Sequence, residues 1–344
     1  MSESMKTTID ATPEVAQNAP VNPRRRVYRP NAKYIPILAT LVLLLAMYVG
    51  GLANLAHFDD PRVVVNLFRD NAVLLVVAIG MTFVILTGGI DLSVGAVISL
   101  TTTLTATLLQ GGWPPLLVLP LVLVLGALLG SGMGAVIQYF KVEPFIATLA
   151  GLFLARGLAL YINQESIPIR DKLWVTLSDL RIPLFDGVKT TLIAVVALVV
   201  VLIAAAVLAW TRFGRNVYAI GGSADSALLM GLPVARTRVL VYTISGFCAA
   251  LGGVLFTINS TSGHALQGAG TELDAIAACV IGGVLLTGGS GYVFGTLLGV
   301  MVFGLISTII NFQGDLNSAW TRIVVGILLF GFIVLQRLVT RRAR

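Results

Sequence analysis

The feature that most constrains this chain is a series of apolar runs, most of them close to the length that crosses a bilayer. They lie near 35–53, 71–87, 92–109, 115–138, 145–162, 191–210, 239–258, 273–287, 293–311 and 322–337. A helical crossing needs about 20 mainly apolar residues. Inside lipid every backbone N–H and C=O must find its partner within the protein, and a helix meets that demand within a single run. The chain therefore reads as an all-α, polytopic integral membrane protein with about ten transmembrane helices, its membrane domain covering residues 33–340. Only 11% of the 344 residues are charged and 57% are hydrophobic. A soluble globular chain carries about 25% charge, so water cannot be the solvent of most of this surface.

Residues 1–32 are polar and contain Pro13, Pro20, Pro23 and Pro30, which predicts a disordered tail. The run after it exceeds the roughly 7–15 residues of a signal-peptide core and is read as a retained first span. An even number of spans puts both ends of the chain on one side. Placing the tail, 139–144, 211–238 and the C-terminus in the cytoplasm gathers fifteen of the 23 lysines and arginines there. That bias predicts an N-in, C-in orientation. It also accounts for the net charge of +7 without a nucleic-acid partner, since no aromatic-basic recognition surface accompanies it. The long connections are an outward, periplasmic segment at 163–190 and an inward, cytoplasmic one at 211–238. Cys248 and Cys279 lack CxxC spacing, and the histidines are His57 and His264, so no metal site is signalled.

Several residues carry candidate chemistry. Gly88-Gly89-Ile90-Asp91-Leu92-Ser93 joins two apolar runs too closely for an ordinary loop. Glycine supplies the reversal. Asp91 either caps the next helix or lines a pathway or gate. Residues 84–89 (VILTGG) recur as 284–289 (VLLTGG), either by chance in a Gly- and Val-rich chain or as matching breaks in two halves of a transporter. Arg156 lies within a span and needs a partner, for which Glu272 and Asp274, at the outer end of a later span, are candidates; contact with substrate is the alternative. Gly126, Gly130 and Gly134, and likewise Gly295 and Gly299, repeat every four residues as close helix packing requires. The chain contains no Gly-Lys dipeptide, so the phosphate-cradling Walker A pattern is missing and any ATP must be bound by another subunit. In the inward segment Ser223 is a candidate N-cap, 224–230 a short helix, and Gly231 with Pro233 its stop.

These same residues carry a resemblance. Thr87–Gly95 resembles the signature of permease subunits of ribose-type sugar ABC importers, in the branched-chain amino acid and sugar permease family. Phe213–Gly222 followed by Ala227–Leu232 looks like that family's coupling loop, and Glu272–Ala277 with Ile281-Gly282-Gly283 like its late signature. The likeness covers about 35–338. A narrower one, to permeases of the galactofuranose importer, is carried by Gln164–Ile169, Ile310-Asn311-Phe312 and Trp320-Thr321. Met230 stands where many sugar permeases have serine, and the N-terminal tail is longer than the family's start.

The resemblance implies a non-catalytic permease subunit in a bacterial inner membrane, importing galactofuranose or a related monosaccharide. The implied partners are a cytoplasmic ATPase with two fused nucleotide-binding domains, a second and non-identical permease chain, and a periplasmic sugar-binding protein. It implies coupling through Gly214, Arg215, Gly221, Gly222, Ala227, Leu228, Met230, Gly231 and Pro233. Gly88, Gly89, Asp91, Ser93, Arg156, Glu272 and Asp274 are the pathway or gate candidates. The competing readings are an ion-coupled secondary transporter, which usually needs several acids deep in the bundle, and a membrane enzyme. HExxH and a GxSxG with a suitable histidine are both missing.

Overall fold

The computed structural model describes residues 35–185, 187–313 and 318–343. The predicted tail lies outside them. In chain order the helices are α1 (Ile35–Asn54), α2 (Pro61–Asp70), α3 (Ala72–Leu86), α4 (Val94–Gln110), α5 (Pro115–Tyr139), α6 (Pro144–Ile162), α7 (Lys172–Asp179) and α8 (Leu192–Trp210). They continue with α9 (Arg212–Gly222), α10 (Ala224–Leu229), α11 (Val234–Ser260), α12 (Thr271–Ile281), α13 (Val293–Gln313) and α14 (Ser318–Ala343). Two short antiparallel pairs complete the fold: β1 (Ile167–Pro168) with β4 (Ser262–Gly263), and β2 (Arg181–Phe185) with β3 (Val188–Thr191).

Each apolar run of the sequence contains one helix, but not each is a full crossing. Among the described residues seven helices are long and apolar enough to span, and eight if α2 and α3, bent by 56° at Asn71, count as one. Helix α4 has 17 residues and α12 only 11. The run 273–287 is therefore not one helix: α12 ends at Ile281, and Gly283 takes φ +88°, a left-handed conformation that glycine adopts without a steric penalty.

At the centre lies α3, buried at every residue except Val73, with α11, α12 and α13 packed against it. An apolar helix buried on all sides belongs to the interior of a bundle. Around it, α1, α5, α6, α8 and α14 turn large apolar side chains outward, among them Leu116, Phe153, Leu202 and Phe330. In a membrane that face meets acyl chains at no desolvation cost. The glycine stripe on α5 works as its spacing predicts. A Cβ at Gly130 would strike the carbonyl oxygen of Tyr242, and one at Gly126 the carbonyl of Gly246, so α5 and α11 touch backbone to backbone. Gly295 and Gly299 bring α13 equally close to Gly282 and Ala278.

The segment between α6 and α8 is folded. Asp171 caps α7, accepting from the backbone N–H of Leu173 at 2.9 Å. Trp174 is buried and its indole N–H donates to Thr257 Oγ1 at 3.1 Å, sealing that end of α11. Beyond β4 the chain turns back into the bundle along α4. The Thr102 hydroxyl donates to the His264 carbonyl at 3.2 Å, the Ser99 hydroxyl to the Gln267 carbonyl, and Gly268 lies against Gly95 and Ile98. Non-helical backbone is tolerated at membrane depth when protein groups satisfy it, and the serine and threonine of α4 do so here. As a result α12 starts beside the first turn of α4, with Glu272 and Asp274 in its own first turn.

Candidate functional site

Two glycine turns and one helix end meet at a single point. After α3, Gly88 takes φ +80° and its N–H donates to the Ile85 carbonyl at 2.9 Å. After α12, Gly288 takes φ +81° and donates to the Leu285 carbonyl at the same distance. The repeated sequence thus gives Gly88 and Gly288 the same left-handed conformation and the same bond to the carbonyl three residues back, while Gly289 is left-handed and Gly89 is not. The two turns are joined, the N–H of Gly289 donating to the Leu86 carbonyl at 2.9 Å.

The C-terminal end of α9 fits between them. A Cβ on Gly221 would overlap the Leu86 carbonyl oxygen and the Gly289 nitrogen, whereas one on the adjacent Gly222 meets nothing within 4 Å. Helix α9 is amphipathic. Thr211 caps it, accepting from the Gly214 N–H at 3.1 Å, and Gly214, Val217 and Ile220 are buried. Gly214 itself abuts the Leu208 backbone of α8. Phe213 stacks on Phe83 of α3, and the Tyr218 hydroxyl donates to the Gly291 carbonyl at 2.8 Å. Burial pushes that phenol up to about 12.

The sequence reads 213–222 as loop; it is a helix anchored on both turns. In α10 the expectation holds. The Ser223 hydroxyl accepts from the Ser226 N–H at 3.2 Å, and Gly231 at φ +77° ends the helix just before Pro233. Ala227 is buried, while Leu228, Leu229 and Met230 are 64%, 89% and 68% exposed. Leu228, Leu229 and Met230 are thus three consecutive exposed apolar side chains at the C-terminal end of α10.

Asp91 is fully buried. Its Oδ1 accepts from the Ser93 N–H at 2.9 Å and the Ser93 hydroxyl at 2.6 Å, and its Oδ2 from the Ser245 hydroxyl of α11 at 2.7 Å. It fixes the start of α4 and ties it to α11. The Thr148 hydroxyl of α6 reaches the neighbouring Ile90 carbonyl at 3.4 Å. Ser245 is a partner that periodicity does not single out, since it is one hydroxyl in an apolar span.

Arg156 makes no ion pair within 4 Å among the described residues; the one found there is Arg69–Asp70. Its Nη1 donates instead to the carbonyls of Ala265 at 3.0 Å and Gln267 at 3.4 Å, and Glu272 acts on it only through its field. Glu272 Oε1 accepts from the Gly270 N–H at 3.3 Å, and Oε2 is buried against Gly95 with no protein donor. Asp274, two residues further along α12, feels the field of the Arg322 guanidinium. Arg156 and Glu272 therefore both hold the returning segment at 265–270 without pairing directly. Bonds to a charged donor contribute ~1.5–3 kcal/mol each, so Arg156→Ala should release this segment. Faster amide exchange across 264–270, with exchange in α5 unchanged, is the expected result, and Arg156→Lys should restore part of the protection.

The family described as "Branched-chain amino acid transport system / permease component" matches residues 63–333. The chain is 47% identical over 304 residues to the inner membrane ABC transporter permease protein YjfF of Escherichia coli, covering 88% of this chain and 92% of that protein. It is 39% identical over 321 residues to the fructose import permease protein FruG of Bifidobacterium longum (92% and 94% covered), and 39% identical over 307 residues to the ribose import permease protein RbsC of Bacillus subtilis (88% and 92%). No solved structure matches. Glycine turns, a capped helical loop and a lipid-facing bundle thus occur in a chain that belongs to the permease family of ABC sugar importers and is a multi-pass inner membrane protein.

Proposed function

We propose that this chain forms one half of the translocation pathway of an ATP-driven sugar importer and couples that pathway to a cytoplasmic ATPase through α9 and α10. The observation that carries this reading is the placement of Gly221 between the two repeated turns, on the helix that leads directly into the exposed Leu228–Met230 tip. A motor that grips α10 moves α9. Because α9 touches both turns through backbone, no flexible side chain can absorb the movement. Helices α3 and α4 on one side and α12 and α13 on the other must then shift together. ATP binding needs only to favour one of two packed arrangements over the other.

The proposed motor is a separate ATPase with two fused nucleotide-binding domains, which supplies the ATP site that this chain lacks. A second permease chain completes the pathway, and a periplasmic sugar-binding protein docks on the 163–190 segment. Glu272, Arg156 and Asp274 are the polar groups that line or gate the route. Glu272 Oε2 is free to accept a sugar hydroxyl once Gly95 and Gly268 separate. The proposed cargo is galactofuranose or a related monosaccharide, supported by the narrower sequence resemblance and by the sugar import permeases among the relatives.

Removing the apolar tip tests the coupling role. In the Leu228→Ala/Met230→Ala variant, the affinity of the purified permease for the ATPase should fall by at least about thirtyfold, since truncating well-buried interface anchors costs more than ~1 kcal/mol each. Undiminished retention together with wild-type uptake would remove this loop from the coupling path. Competition of labelled galactofuranose uptake by a panel of unlabelled pentoses and hexoses tests the cargo.

A further inference from the structure

A cavity of about 540 Å³ opens beside the glycine junction, between the last turns of α8, helix α9 and the start of α13. Its walls divide by chemistry. Ala205, Leu208 and Phe294 make an apolar side, and Arg215, Ser290 and Tyr292 bring a cation and two hydroxyls to the other. No carboxylate lines it, and no carboxylate lies within 4 Å of Arg215 among the described residues. At the same level Trp210, closing α8, is 81% exposed. An exposed tryptophan at the end of an apolar span marks the headgroup level of a membrane.

We infer that this cavity binds one anionic phospholipid of the leaflet that faces α9, with its phosphate on Arg215 and the Ser290 hydroxyl and an acyl chain along Ala205, Leu208 and Phe294. The charge favours an anion, because the exposed Arg215 guanidinium offers forked donors with no acid beside it. The apolar wall requires a hydrocarbon attached to that anion, and this favours a lipid over free phosphate. The consequence is regulatory. Two sides of the cavity, α9 and the 289–292 turn, are the parts proposed to move during coupling, so a lipid held there favours the arrangement in which the cavity is open. That the leaflet is the cytoplasmic one rests on the proposed orientation. Binding of the lipid does not.

The test is lipid retention by the full-length chain purified in mild detergent, measured by native mass spectrometry after incubation with phosphatidylglycerol or phosphatidylcholine. Phosphatidylglycerol should be retained in preference. Arg215→Gln should weaken its retention about fivefold, the contribution of one basic residue at a membrane surface. Arg212→Gln, on the same helix but outside the cavity, should leave retention unchanged. Ala205→Phe, which fills the apolar end and leaves the charge in place, should also lower it. Equal loss in the Arg212 and Arg215 variants, retention of both lipids alike, or complete displacement by inorganic phosphate would each overturn the assignment. None of these outcomes bears on which side of the membrane α9 occupies.

Discussion

Gly221→Val is expected to abolish transport while Gly222→Ala is expected to leave it intact. The two glycines are adjacent on α9, yet a Cβ at the first would overlap the Leu86 carbonyl oxygen and the Gly289 nitrogen, and one at the second meets nothing within 4 Å. The obstructing atoms at Gly221 are backbone atoms of two turns already joined by a hydrogen bond, so neither can swing aside. Overpacking of this kind costs ~1–3 kcal/mol, enough to shift a two-state equilibrium by roughly ten- to a hundredfold. Uptake in cells should fall by at least about tenfold, with the protein still inserted and the ATPase still bound through the untouched α10 tip. A valine variant that transports normally would mean that α9 does not transmit movement through this junction.

The second large effect is on stability. Asp91→Ala removes the acceptor for the Ser93 amide, the Ser93 hydroxyl and the Ser245 hydroxyl in a site with no exposure. Hydrogen bonds to a charged group contribute ~1.5–3 kcal/mol, and the stranded donors add a desolvation cost, so a loss of ~2–4 kcal/mol is expected. Ser245→Ala, which removes one of these bonds and leaves the other two in place, should cost ~1.5 kcal/mol. Asp91→Asn should fall between them, since its carbonyl keeps the Ser93 bonds and its amide can donate to Ser245. The half-life of folded protein in detergent at a fixed temperature should rank wild type, Ser245→Ala, Asp91→Asn, Asp91→Ala from longest to shortest. Equal half-lives for Asp91→Ala and wild type would show that the carboxylate is not a structural tie.

Much of the architecture is legible in the sequence because lipid exposure and helix length impose a simple code. The boundaries of α5 and α6 follow directly from their apolar runs, and the spacing of Gly126, Gly130 and Gly134 announces the close contact with α11. What local pattern cannot show is where the chain turns back. The run 273–287 is apolar throughout, yet the helix stops at Ile281, just before left-handed Gly283, and it starts beside α4 because Ser99 and Thr102 draw the preceding segment into the bundle. Those hydroxyls look like ordinary serine and threonine in an apolar helix. Helix α9 escapes notice for the opposite reason: its sequence holds Gly214, Gly221 and Gly222, which favour a loop, and only tertiary contact keeps it helical.

The candidate site was half visible. The recurrence of 84–89 at 284–289 marks both turns, but their contact with each other and with Gly221 is a matter of three dimensions. For Arg156 the search for an opposite charge finds Glu272 nearby, whereas the bonds formed are to carbonyls. An arginine in the bundle is satisfied as well by exposed backbone oxygens as by an acid, and sequence patterns do not register backbone acceptors.

The central claim is that α9 and α10 form a handle on the cytoplasmic side of the membrane, held by a separate motor. Its most direct test is cysteine labelling at Asp225, an exposed residue of α10, in a chain whose Cys248 and Cys279 are buried and give little background. With a membrane-impermeant maleimide, Asp225→Cys should stay unreacted in intact cells, react in inverted membrane vesicles stripped of peripheral proteins, and be protected when the ATPase is bound. Reaction in intact cells would put the handle on the wrong side of the membrane and contradict the account.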